Sequence, residues 1–440
     1  MSLDPLIQFE IRRGGSDTNG GGFKQGASGT DWTLQDNPQY SVTDGVTNGS
    51  TTITSASANF GTDVVGNVVY VQGGTGSVAA ARYQIISRTN ATTIVVDRST
   101  GLTAGTGVTL KVGGALATPG GAAAIAQLAN GHRIWWKYDA SAYACSTSTA
   151  GPAGPILFAD NNAVALMGYD VTRGDRTGRR PVYQWTASAP GGATYIASTG
   201  QTARQVFANF TVDANSVSNV NGISIANRCS AADCVALNAS AASRIGINAT
   251  GANAGATRCM AQNCTTGFNG FQLIYGCQAI SCTTGFSVLG AEKCIAVNGT
   301  TGFTLATGSG GNLYRCTVDG AATGFSISFA ANLVACLATN CATRGFSSSD
   351  YLHTLLNCAQ YNSGAMSGTA LLNDGFVTVT ADPYVNRAGG DYRPNTSANG
   401  GALLKAAGIG AYGQTDNVDI GAAQSAAGAA TYSRGRLVNA

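Results

Sequence analysis

One short pattern returns between about residues 222 and 363, and it limits what this chain can fold into more than any other feature. Its clearest copy is Cys259-Met-Ala-Gln-Asn263-Cys264-Thr-Thr-Gly267-Phe268. Cys277 to Phe286, Cys294 to Phe303 and Cys316 to Phe325 repeat it, and Cys336 to Phe346 repeats it with one extra residue. Weaker copies precede these at Gly222-Ile223 and Gly246-Ile247, and Cys358-Ala-Gln-Tyr-Asn362 begins a last one. The phenylalanines 268, 286, 303, 325 and 346 are spaced by 18, 17, 22 and 21 residues. A drifting period of about twenty residues does not suit helical repeats, which need longer units of constant length. It suits a coil of short strands, in which each turn hides its inward face only by stacking on the next.

Within a copy the apolar residues alternate, as at Cys294 and Ala296 and again at Phe303 and Leu305. That is the two-residue period of a strand. Glycine before each Phe supplies a backbone able to turn where a side chain would clash. The variable step is then a loop of variable length at one corner. The expected fold class is all-β: a right-handed, single-stranded parallel β-helix, with Cys, Asn and Phe at like positions forming internal ladders.

Composition agrees. Sixty Gly and only 11% charged residues suit a buried parallel sheet with tight corners. Among 22 acidic residues only Glu10 and Glu292 are glutamate, so helix formers are scarce. A net charge of +3 gives no footprint for nucleic acid. No apolar run approaches the ~20 residues of a membrane span. Met1-Ser-Leu-Asp-Pro-Leu-Ile7 lacks a basic stretch followed by an apolar one, so no secretory signal is expected and the thiols are expected reduced.

Along the chain, residues 1–36 read as a glycine-rich, polar N-terminal arm. Residues 37–115 read as a small all-β docking domain of four to six strands. Its runs Val68-Val-Tyr70-Val, Arg82-Tyr-Gln-Ile85-Ile86 and Thr92-Thr-Ile94-Val-Val96 are β-branched and bounded by Gly, Asn and Asp. The coil is expected over 116–424, with a capping helix near 121–129 plugging its first turn. Arg133-Ile-Trp135-Trp136 would begin its first strand, and Arg173 to Arg180 would be an insertion. The tail 425–440 reads as an extended segment that orders only on a partner.

The candidate constellations have structural explanations. Cys229/Cys234, Cys259/Cys264, Cys277/Cys282 and Cys336/Cys341 share one spacing, but zinc favours tighter pairs with a second pair or His nearby. Only His132 and His353 exist. A ladder of buried, small thiols is expected, although stacking at about 4.8 Å would also permit oxidation. Asn238, Asn263, Asn298, Asn340 and Asn362 suit left-handed corners with amides bonded from coil to coil. The five Phe are expected in the core rather than as a platform for sugar. Arg173-Gly174-Asp175 matches a cell-adhesion tripeptide and is read as a solvated loop. Glycoside hydrolysis needs two carboxylates about one bond. Asp213, Asp233, Asp319, Asp350 and Asp374 are the candidates in the coil, and none is clearly paired. A lyase would use a basic side chain as its base. Arg315 with Asp319, or Arg344 with Asp350 and His353, could share a face. No catalytic, metal or cofactor site is assigned.

Two stretches carry a resemblance. Asp382-Pro-Tyr384-Val-Asn386, Gly390-Asp391-Tyr392-Arg393 and Asp419-Ile420-Gly421-Ala422 resemble the closing turn of pectate-lyase-like right-handed β-helix proteins, with one usual step degraded to Asn395-Thr-Ser-Ala-Asn399. Gly15-Ser-Asp17-Thr-Asn19-Gly-Gly-Gly22-Phe23, followed by Gly26 to Asp31, resembles the opening of β-helix proteins carried in the virions of tailed bacteriophages. The resemblance implies a virion protein, made in the host bacterial cytoplasm: a capsid-surface decoration, head fibre or tail fibre acting as a rigid, non-enzymatic rod. It also implies docking on other virion proteins through the N-terminal region, and a homotrimer. The alternative is a tailspike-like protein that binds or cleaves bacterial surface polysaccharide. A secreted adhesin would need an export signal. Fold alone does not decide among these.

Overall fold

A computed structural model describes residues 2–76, 78–101, 105–147, 154–158, 163–176, 178–186, 193–198, 204–216, 220–240, 244–305, 311–349, 353–368, 371–405 and 420–421. Two compact units divide the chain, Met1–Asp213 and Ala214–Ala440. The expected all-β architecture is present in both.

In the first unit, β1 (Ile7–Ile11) pairs antiparallel with β2 (Gly22–Lys24) and parallel with Arg133–Lys137. That strand pairs parallel with Ala165–Tyr169, which pairs parallel with Val206–Ala208. A second sheet stacks Tyr143–Cys145, Val182–Trp185 and Thr211–Asp213, and a third pairs Ile156–Phe158 with Ala193–Ser198, all parallel. The residues expected to form a free arm therefore include a core strand. Ile7, Phe9 and Ile11 alternate, and all three are fully buried. Large rings fill the interior: Trp136 packs against Tyr143, Tyr183 and Phe210 at 5.3, 5.9 and 5.7 Å between centroids.

Between β2 and the strand Arg133–Lys137 lies a closed antiparallel barrel. Its strands are β3 (Tyr40–Thr47), β4 (Thr52–Thr54), β5 (Val68–Gly73), β6 (Val78–Asn90), β7 (Thr93–Val96) and β8 (Gly105–Val112), in the order β3-β4-β7-β6-β5-β8. Closure leaves no free edge, and Val69, Val71, Ile85, Ile94, Val96 and Leu110 form its core. The helix α1 spans only Pro119–Ala123, shorter than the expected 121–129. A helix of one turn has little stability of its own. This one is held by caps: Thr118 Oγ1 accepts from Gly121 N at 2.9 Å, and Asp17 accepts from Ala117 N, Thr118 N and Thr118 Oγ1. Beyond Ala123 the chain turns, and Ile125 and Leu128 are buried without helix.

The second unit is a regular parallel coil. Its first sheet runs from Ser230–Ala232 to Leu371–Asp374, its second from Val235–Leu237 to Val377–Val379, and its third from Val220–Ile225 to Arg344–Ser348. The corner from first to second sheet is two residues in copy after copy, as in 276–277, 293–294, 315–316 and 335–336. The corner from second to third is three residues, with the extra residue of the fifth copy making 340–343. The drift in step falls at the remaining corner, which is 288–289 in one coil and 328–330 in another.

The Phe and Cys ladders are internal as expected, whereas the Asn ladder runs along the outside of the coil, with Asn263, Asn298 and Asn362 exposed. Phe268, Phe286, Phe303, Phe325 and Phe346 are fully buried and stack face to face at 5.0, 4.5, 5.3 and 4.9 Å. The glycine before each Phe is needed for close approach rather than for a turn. A Cβ on Gly285 would lie 2.6 Å from Gly302 O and 3.0 Å from the methyl of Ala296. The asparagines occupy left-handed backbone, φ 58°, 54°, 52°, 52° and 43° in chain order. Asn263 Nδ2 donates to Asn238 Oδ1 at 3.2 Å, and Asn362 Nδ2 to Asn340 Oδ1 at 2.9 Å.

The cysteines are free and buried. The equal spacing of the pairs conceals their register. Cys234, not Cys229, aligns with Cys259, because Val235 pairs with Met260 just after them. One column is thus Cys234, Cys259, Cys277, Cys294, Cys316, Cys336 and Cys358, and a broken second one holds Cys264, Cys282 and Cys341. Each thiol in the long column from Cys259 onward donates to the carbonyl two residues earlier, as Cys294 does to Glu292 O at 3.4 Å. Burial pushes the Cys294, Cys316, Cys336 and Cys358 thiols well above their ordinary pKa, which keeps them protonated and poor nucleophiles.

Candidate functional site

Of the sequence candidates, Asp319 and the closing motif meet in one place in the second unit, the outer face of the second sheet. Strand alternation points Val318 inward and Asp319 outward, yet Asp319 is only 2% exposed. The cover is the segment of the closing motif. Tyr384–Asn386 and Asp391–Pro394 form a hairpin, followed by α2 (Gly401–Leu404), and Tyr384, Tyr392, Leu404 and Ile420 pack on Ala335, Leu337 and Ala359. Asp382 Oδ1 accepts from Tyr384 N at 3.0 Å and Asn386 Oδ1 from Gly389 N at 3.0 Å, so the motif's polar residues shape its turns. Asn395, in the degraded step, joins both halves: it donates to Asp382 O and Tyr384 O and accepts from Ser397 N and Gly401 N. Asp419 and the tail 425–440 lie outside the described residues.

Both oxygens of Asp319 are occupied. Oδ1 accepts from Thr339 Oγ1 at 2.8 Å and Asn340 Nδ2 at 2.9 Å. Oδ2 accepts from Arg387 Nε at 2.7 Å and Tyr392 OH at 3.4 Å. Thr339 spends its proton on Asp319, so Tyr384 OH, 2.9 Å away, donates to Thr339 Oγ1. Burial, then the Asp319 charge, raises both tyrosine hydroxyls well above their ordinary pKa. The cluster is a latch that fastens the closing hairpin.

The other candidates are dispersed. Arg315 does not face Asp319; its guanidinium donates to Glu292 one coil earlier. Asp233 pairs with Arg258 through two bonds of 2.8 and 2.9 Å. Asp213 accepts from Gln184 at 3.0 Å. Asp374 is exposed at the end of its strand. Arg344 is exposed in the third sheet, whereas His353 is buried in the first, and Asp350 lies outside the described residues. Among the described residues no three His, Cys, Asp or Glu side chains gather to hold a metal ion.

Arg173-Gly174-Asp175 lies in a surface loop, as expected, with Gly174 exposed, but its two charged side chains are not free. Arg173 Nε donates to Glu10 Oε2 at 2.7 Å, Nη1 to Asp31 Oδ2 at 2.6 Å and Nη2 to Thr33 Oγ1 at 2.8 Å. Asp175 accepts from the backbone N–H groups of Asp170, Val171 and Thr172. Both charged groups of the tripeptide are used internally. Glu10 is fully buried and also accepts from Tyr169 OH; burial raises its pKa to about 7 against the pull of Arg173.

One open concavity adjoins the Asp319 cluster through Asn340. It measures about 510 Å³ and is lined by Asn340, Cys341, Ala342, Gln360, Asn362, Ser363, Gly364 and Thr378. Among the described residues no charged side chain lines it. Nothing in the sequence marks it beyond the last copies of the Asn ladder.

No protein-family model matches the sequence, and no curated protein matches it either. Several solved structures are similar in fold. The catalytic unit of a thermostable GH87 alpha-1,3-glucanase from Streptomyces thermodiastaticus is 11% identical, with 78% of this chain and 88% of that one aligned and a TM-score of 0.35. The tailspike protein gp49 of Pseudomonas phage LKA1 is 14% identical over 78% of this chain and 62% of that one, with a TM-score of 0.20. A GH87 alpha-1,3-glucanase catalytic domain in complex with nigerose is 9% identical over 83% and 93%, with a TM-score of 0.27. Likeness at this level carries no argument about activity. The class, an all-β chain of parallel coils with an antiparallel barrel, rests on the strand pairing itself.

Proposed function

We propose that this chain is a non-enzymatic structural component of a tailed-bacteriophage virion, docking on other virion proteins through its N-terminal region. The observation that carries the non-enzymatic part is the commitment of its buried carboxylates. Asp319 holds the closing hairpin and Glu10 holds the loop of Arg173, and each is covered by the groups it binds. A general acid or base needs a proton to exchange with substrate, and these two face none. The phage part rests on the opening motif, whose Asp17 caps α1 and whose Asn19 donates to Asp36 O and Ala115 O. The test is incubation of the purified chain with capsular and lipopolysaccharide glycans, with assay of new reducing ends and unsaturated uronates. No product is expected, and any turnover that survives removal of contaminating hydrolases overturns the reading.

A second reading, binding of bacterial surface polysaccharide without cleavage, is favoured by the uncharged concavity at Asn340, Asn362 and Thr378. Retention of the chain on immobilised polysaccharide, with no product released, is the expected result under this reading.

A further inference from the structure

Gln360 stands in a column where a polar side chain is out of place. Strand pairing aligns it with Ala338, and through the coils below with Val318, Ala296, Ala279, Ala261 and Ala236, all inward-facing and buried. The next residue of the column is Thr378, which is exposed. The interior thus changes from methyl groups to an amide and a hydroxyl in the last two coils. Gln360 Oε1 is buried with no hydrogen-bond donor. An acceptor left in that condition is destabilising, and alanine, present at five of the six aligned positions below, would avoid the cost. Gln360 is one of the residues lining the concavity of about 510 Å³, together with Thr378, Asn362 and Ser363.

We infer that this concavity binds a neutral saccharide unit. The inference rests on the polysaccharide-binding reading above and names its site and ligand class. The lining offers amides and hydroxyls, which supply both donors and acceptors and match a sugar's hydroxyl groups. Among the described residues it offers no Arg or Lys for a carboxylate or phosphate, so they give an acidic glycan no counter-charge. Asn362 and Asn340 are held in place by the amide ladder, which continues from Asn340 to Asp319. The ligand-facing groups are therefore pre-positioned by the coil, which reduces the ordering cost of binding. A volume of this size takes one or two hexose rings and falls in the range of ordinary small-molecule sites.

The experiment is saturation-transfer NMR on the full chain with maltohexaose, cellohexaose and a dextran oligomer as neutral probes and oligogalacturonate as the acidic one. The wild type is expected to give saturation transfer with at least one neutral probe and none with oligogalacturonate. Thr378→Trp fills the concavity from an exposed position, and Asn362→Ala removes a donor. Each is expected to weaken that signal at least tenfold in apparent affinity; Thr378→Trp leaves the thermal midpoint unchanged, whereas Asn362→Ala lowers it slightly, as Asn263→Ala does, because both lose a left-handed Asn of the ladder. Asn263→Ala, in the same ladder but outside the concavity, is the control and is expected to bind normally. Neutral-probe binding that survives Thr378→Trp and Asn362→Ala overturns this site while leaving the polysaccharide-binding reading intact. Absence of binding to every neutral probe, or a preference for oligogalacturonate, overturns the proposed ligand class; retention on acidic polysaccharide would then separate the two failures.

Discussion

Phe303 has one ring above it and one below, at 4.5 and 5.3 Å, and no exposure to solvent. Removing it leaves a gap that two neighbouring coils cannot close, because their spacing is fixed by the hydrogen bonds between strands. Phe303→Ala is expected to destabilise the second unit by about 3–5 kcal/mol, read as a lower urea midpoint. At the corners the same logic runs in reverse. Ser281 sits at φ 52° between the left-handed Asn263 and Asn298. Asn tolerates that backbone better and can extend the amide ladder, so Ser281→Asn is expected to stabilise by about 0.5–1 kcal/mol in the same assay. These ladders were legible because one residue type recurs. The other left-handed column was not. It runs Asp233, Arg258, Gly276, Lys293, Arg315, Ala335 and Asn357 at φ between 49° and 62°, and such mixed side chains carry no signal of a shared conformation. Tight two-residue corners impose it.

At the scale of elements, the closing hairpin shows what side-chain chemistry does once the coil exists. The DP-x-x-N and GDYR runs were visible as a resemblance, but their anchor was not, since Asp319 lies in the third residue of an ordinary-looking strand and Thr339 in another. Only strand register brings those two together. Arg387→Ala would leave Asp319 buried without its cation. A loss of about 2 kcal/mol is expected, below the full value for a buried pair because Arg387 is itself 37% exposed. Hydrogen exchange should locate it: amides near Asn395, whose N–H bonds Pro383 O, exchange faster, while the Phe-bearing strands do not change. Adding Asp319→Asn to Arg387→Ala removes the stranded charge and is expected to recover part of the stability. If the double variant is less stable than Arg387→Ala, the latch is not electrostatic. The short helix α1 teaches the same lesson. Ala122 to Leu128 looks helical by composition, yet the caps from Thr118 and Asp17 set a single turn, and a cap 100 residues away in sequence is not a local signal.

At the scale of the whole molecule, a chain with 11% charged residues has few groups able to couple its stability to pH. Near neutrality Glu10 is the main one. Its carboxyl faces Arg173 and Tyr169, with Asp31 sharing the same guanidinium and Arg12 and Tyr143 further off. Burial is the largest influence and raises its pKa from an ordinary 4.5 to about 7. The sign follows from proton counting. Between those two values the folded chain holds a proton that the unfolded chain has released, so stability is full below pH 4.5 and is lost as pH rises to about 7. The shift corresponds to roughly 3 kcal/mol. His132 acts in the opposite sense: burial lowers its pKa below 6.5, and its contribution is lost as pH falls. Comparison of wild type with Glu10→Gln separates the two, because His132 is common to both. Glu10→Gln keeps an acceptor for Tyr169 and has no proton to lose. Measured by urea unfolding at pH 5 and pH 8, the wild type is expected to lose stability relative to Glu10→Gln on going to the higher pH, by about 2–3 kcal/mol. Parallel curves for the two proteins would mean that Arg173 already holds Glu10 ionised at pH 5, and that the clasp on the Arg173 loop is a permanent ion pair rather than a protonated carboxyl.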